Sequence, residues 1–96
     1  MSTSDHLDEY GDTVLYDVFY EAGTQLNGVL VELQRKASAE GDETAAAAWL
    51  QRGIELGRAR RLVGGADRVT QIEQIRAWRA QRADLVEKLT SDGRDS

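Results

Sequence analysis

Apolar residues recur through the first third of the chain at helical spacing. At 100° per residue, Leu15, Val18, Phe19, Ala22, Leu26, Val29, Leu30, Leu33 and Ala37 share one stripe about 120° wide. The stripe predicts an amphipathic helix from Asp12 to Ala39, with Gly11-Asp12 as its break and N-cap and Gly41 as a left-handed stop. A short helical turn over Asp5–Glu9 precedes it. Asp42 is a good N-cap for a second helix that runs to Val63 and ends at Gly64-Gly65. The inward face of that helix is read as Ala46, Trp49, Leu50, Gly53, Ile54 and Gly57, the two glycines allowing close approach of a neighbour. A third helix, capped by Asp67, runs from Arg68 to about Thr90. Ile72, Ile75, Val86 and Leu89 form its stripe, flanked by Val69, Trp78 and Leu85, with Arg79 and Arg82 inside it.

No strand pattern, repeat or low-complexity tract competes with three helices. Links at 40–42 and 64–67 are short enough to make sequence neighbours antiparallel. The expected fold is all-α, an antiparallel three-helix bundle. It forms one domain over residues 1–96, with 1–8 and 91–96 expected to be flexible.

Charge changes this picture more than composition does. Residues 1–34 hold seven acids and no Lys or Arg, whereas residues 51–82 hold eight Arg against Glu55, Asp67 and Glu73. One reading is intramolecular, with the acidic helix paired to the basic ones at the rim. The other is that the acidic helix faces a basic partner.

Several chemistries lack their residues. The chain has no Cys and a single His, so neither disulfides nor a zinc centre is expected. Asp5, His6, Asp8 and Glu9 cluster, and read best as solvated charge. There is no phosphate-binding Gly-Lys loop, and no Ser has a His to activate it. The chain is expected not to be an enzyme and to need no cofactor or metal. The opening MSTSDHLDEYGD lacks the basic and apolar regions of a secretory signal, and no apolar run approaches the ~20 residues of a membrane span, so the expected location is the cytoplasm.

What remains is surface. Tyr16 and Tyr20, with Val31, lie on a shoulder beside the core stripe, near Glu9, Thr13 and Asn27. A Tyr pair at this spacing stabilises a helix by itself. It also suits an interface, because a tyrosine buries a large ring and keeps a polar tip. A tyrosine-bearing acidic helix is a plausible plug for a basic, phosphate-binding pocket, since carboxylates can stand where phosphate oxygens would. The alternatives are a small helical nucleic-acid-binding protein, using the arginine clusters GRARR (57–61) and RAWRAQR (76–82), or a self-associating regulatory protein. A pI near 4.8 argues against tight nucleic-acid binding.

Residues 50–85, LQRGIELGRARRLVGGADRVTQIEQIRAWRAQRADL, join a helix ending at Arg60-Arg61-Leu62-Val63 to one carrying the pair Trp78-Arg79. In this order of features the chain resembles the small epsilon-type antitoxins that neutralise zeta toxins. The first helix matches them in length, position and apolar spacing. The resemblance implies an inhibitor of a P-loop kinase that phosphorylates UDP-N-acetylglucosamine. It implies that the N-terminal helix lies across the kinase's nucleotide site, in a heterotetramer of two antitoxins and two toxins. The partner-binding residues expected on this sequence are Glu9, Asp12, Thr13, Tyr16, Asp17 and Tyr20.

Overall fold

A computed structural model describes residues 5–95. After a 3₁₀ turn at Leu7–Glu9 come three helices: α1 (Asp12–Ala39), α2 (Glu43–Leu62) and α3 (Arg68–Asp95). Described residues contain no strand. The fold is the all-α three-helix bundle that the periodicity predicts. The helix α1 is its centre, packed on both α2 and α3. Contacts such as Tyr20 with Arg60 and Asp12 with Arg68 run α2 antiparallel and α3 parallel to α1, in up-down-up order. The result is flat and open, with principal extents of 45 × 31 × 17 Å. Its radius of gyration is 15.2 Å, whereas a compact chain of this length has about 12–13 Å.

The turns form as their residues dictate. Gly41 adopts φ +79°, in the left-handed region. Its N–H donates to the Ser38 carbonyl and the Asp42 N–H to that of Ala37, so two orphan carbonyls of α1 are satisfied. One residue later the Asp42 carboxylate accepts from the Ala45 N–H and caps α2. Asp67 does the same for α3, accepting from Thr70 N–H at 3.2 Å. At the start of α1, Gly11 is the cap residue and offers no side chain, so Asp12 is the first helical residue rather than the cap. The helix α3 continues beyond the expected boundary at Thr90 to Asp95.

The core follows the α1 stripe closely. Leu15, Phe19, Ala22, Leu26, Val29, Leu30, Leu33 and Ala37 are all buried, and Val18 is half-buried. Phe19 and Trp78 stack with ring centroids 5.2 Å apart, joining α1 to α3. The other two helices keep part of their expected faces, Ala46 and Trp49 on α2 and Ile72, Ile75 and Leu89 on α3, and turn the rest. On α2, Leu56 is buried while Leu50 and Ile54 are 49% and 46% exposed. The inner face holds Ala46, Trp49, Leu56, Ala59 and Val63. It also holds Arg52 and Arg60, whose apolar stems lie along the protein while their charged ends emerge. On α3, Trp78 is central rather than flanking, beside Ile75 and Leu85, while Val69 and Val86 are exposed. Gln71 is fully buried at the head of this face, and its amide donates to the carbonyls of Gly64 and Gly65, fixing the α2–α3 turn. Arg79 and Arg82 are exposed. With half its surface in water, Leu50 is expected to contribute little: Leu50→Ala should cost under about 1 kcal/mol in a denaturant melt, well below the ~2–5 kcal/mol of a core leucine.

Residues 1–4 and 96 lie outside the described residues, so the expected flexibility of the termini concerns them only in part. Among the described residues of the N-terminal segment, Leu7 is completely buried in the core. Asp5 is held by α3, accepting from Arg76 Nε at 2.8 Å and Nη2 at 3.0 Å. For Asp5 this pairing replaces the solvated charge expected there, while His6, Asp8 and Glu9 remain exposed. The Arg76 hydrogen bonds hold the Asp5 carboxyl far below the usual carboxylate range. A lowered folded-state pKa stabilises the fold above the ordinary carboxylate pKa, near ~4, and that contribution fades as pH falls below it. Wild type should therefore melt above Asp5→Asn at neutral pH, and the gap should close as pH falls from about 5 toward 2. Equal melting temperatures at neutral pH would contradict the clamp.

Candidate functional site

The acidic N-terminal third divides into two environments. Its front end is paired internally. Arg68 Nη1 donates to Asp12 at 2.8 Å and Nη2 to the Asp8 carbonyl at 3.3 Å, while Arg76 also lies 3.9 Å from the Asp8 carboxylate. Glu9 is exposed in the 3₁₀ turn, 2.8 Å from His6 Nδ1. Intramolecular pairing thus accounts for this part of the charge split.

Beyond Asp12, α1 carries its charge outward. Thr13 is exposed on the first turn. Asp17 makes no ion pair among the described residues; it lines a shallow recess with Val14, Val18, Glu21 and Arg79 on the α3 flank of α1. Tyr16 and Tyr20 stand on the opposite flank, 37% and 49% exposed. Their ring centroids are 6.3 Å apart and their planes tilted by 45°. Tyr16 also leans on Phe19, with centroids 5.9 Å apart. The six expected partner-binding residues therefore do not form one patch: Tyr16 and Tyr20 share a face, Asp17 lies on another flank, and Asp12 and Glu9 are engaged locally.

The neighbours of the tyrosines are arginines rather than the acids expected around them. The Arg60 guanidinium lies 4.0 Å from the centre of the Tyr20 ring, a cation–π contact. Its Nη1 donates to the Tyr20 carbonyl at 3.2 Å and to Thr24 Oγ1 at 3.1 Å. Gly23 makes this possible. A Cβ there would stand 3.1 Å from Arg60 Nη1 and 3.3 Å from Trp78 Cζ3, so the missing side chain is the gap through which Arg60 crosses α1. Sequence reasoning could have found Arg60 by carrying the α2 stripe through Leu56 and Val63, on whose face Arg60 falls.

An apolar groove of about 300 Å³ between α1 and α2 is lined by Leu30, Val31, Trp49, Leu50 and Ile54. Among the described residues there is no cluster of three or more metal-ligating side chains, and no helix is long and apolar enough to cross a membrane.

The fold and site define a small helical domain with a preorganised tyrosine pair on its central helix. The chain matches no protein-family model, and no curated protein or solved structure is significantly similar to it.

Proposed function

We propose that this domain is a protein-binding inhibitor of the antitoxin kind, which neutralises a zeta-type P-loop kinase by laying the N-terminal half of α1 across its nucleotide site. The observation that carries the reading is the half-exposed Tyr16–Tyr20 pair, with Tyr20 held by Arg60 and Tyr16 leaning on Phe19. Ordering a side chain at an interface costs ~0.5–1.5 kcal/mol, and a ring already fixed avoids part of that cost. Asp17, unpaired and exposed one residue from Tyr16, supplies the negative charge that a cationic phosphate pocket attracts. Asp12 and Glu9, already paired, contribute mainly to holding the start of α1.

In this reading the domain has no chemistry of its own, needs no cofactor and works in the cytoplasm, in an assembly of two inhibitors and two kinases. A nucleic-acid role is less well supported, because an all-acidic first third would meet phosphates with repulsion. The test is phosphorylation of UDP-N-acetylglucosamine by a zeta-type kinase. One equivalent of the domain is expected to abolish turnover. Undiminished turnover with the domain in excess would remove the reading.

A further inference from the structure

We propose that the recess between the tyrosine pair and the C-terminal end of α2 is a binding site for the phosphoryl group of a small phosphorylated molecule. The inference uses the tyrosine pair that the kinase-inhibitor reading also uses, but it is tested on the domain alone, so the two fail separately. Tyr16, Tyr20, Gly57, Arg60 and Arg61 line this recess, whose volume is about 430 Å³. No carboxylate is among them, although the chain is net −5 and α1 is rich in acids. Asp17, the nearest acid in sequence to Tyr16, lines a different recess.

Arg60 and Arg61 thus line one recess whose lining holds no carboxylate. Like charges held together without an anion are unfavourable, and an oxyanion in the recess relieves that. Arg60 is built into the site. Its Nη1 is occupied by the Tyr20 carbonyl and Thr24 Oγ1 and one face by the Tyr20 ring, and its Nε and Nη2 make no hydrogen bond among the described residues. Arg61 is exposed and makes no hydrogen bond or ion pair among the described residues. It lies over Gly57, 3.6 Å from where a Cβ would stand. Together with the two tyrosine hydroxyls, these groups offer more donors than the two oxygens of a carboxylate accept. The three terminal oxygens of a phosphoryl group match them better. The remaining volume admits the body of a nucleotide-sized molecule, with the exposed Tyr16 ring as an apolar wall.

The test is an NMR titration of the full chain at constant ionic strength, with inorganic phosphate and ADP in separate arms and chloride as the control. Saturable shifts of the Arg60 and Arg61 Nε–H signals and the Tyr16 and Tyr20 rings are expected with both phosphate and ADP. Tighter binding of ADP would add the body of the molecule to the site, and equal binding would confine recognition to the phosphoryl group; both support the proposal. Arg61→Gln alters no internal contact, so it should fold as wild type and weaken binding at least about tenfold. Unsaturable shifts spread over all arginines, or saturation unchanged in Arg61→Gln, would overturn it.

Discussion

Phe19→Ala is expected to destabilise the domain by about 3–5 kcal/mol, the range for emptying an aromatic site in a core. Phe19 is fully buried at the middle of the packing and stacks on Trp78 at 5.2 Å, so truncation both opens a cavity and removes the main aromatic link between α1 and α3. The flat arrangement leaves few other contacts to absorb the loss, because α1 carries the packing of both neighbours. A domain of this size has only ~5–15 kcal/mol in total, so a large part of its stability rests on this site. Urea unfolding with two-state analysis reads the effect directly. A loss below about 1 kcal/mol would mean that α3 does not dock on α1 through this pair.

The second large effect concerns recognition. Tyr16→Ala with Tyr20→Ala is expected to weaken binding to the proposed kinase partner by at least ~2 kcal/mol, about thirtyfold, as truncation of central aromatic contacts does. Removing the Tyr20 ring also takes away the seat of Arg60, so a modest loss of stability, about 1 kcal/mol, should accompany it. Tyr16→Ala alone separates the two effects, since Tyr16 carries no arginine and its ring is partly in solvent. Asp17→Lys should act differently: it reverses an exposed charge that makes no ion pair among the described residues. It should slow association more than it speeds dissociation, with the difference shrinking as salt rises. Unchanged affinity in the double variant would leave the tyrosines with only an internal role.

Helix α1 was legible from the sequence because one apolar stripe decides it and polar residues fill the remainder. Its bounds, Asp12 and Ala39, coincide with those predicted, and the capping roles of Asp42 and Asp67 and the left-handed Gly41 are as read. The faces of α2 and α3 were less legible for a physical reason. Both helices carry apolar residues on several sides and arginines or a glutamine on the side that docks. A face drawn without Arg60 and Gln71 turns away from Leu56 and Trp78 and toward Leu50 and Val86. The stem of Arg60 and the amide of Gln71 are buried by arrangements, the gap at Gly23 and the carbonyls of Gly64 and Gly65, that no local pattern announces.

The candidate site divides along the same line. Tyr16 and Tyr20 were visible as a shoulder because they fall off the core stripe. Their arginine neighbours come from a residue 40 positions away, and a charge tally along the chain cannot join Tyr20 to Arg60. The same tally could not assign Asp5 to Arg76, a pair 71 residues apart that ties the chain's front end to α3 and brings Leu7 into the core.

The proposal that the N-terminal half of α1 occupies a kinase's nucleotide site is tested most directly by a competition titration. The fluorescently labelled domain is bound to a zeta-type kinase and ATP is added at rising concentration. The apparent dissociation constant of the domain is expected to rise linearly with ATP, with no ternary complex at any concentration. ATP binding to the assembled complex with the affinity it has for the free kinase would contradict it, however tightly the two proteins held each other.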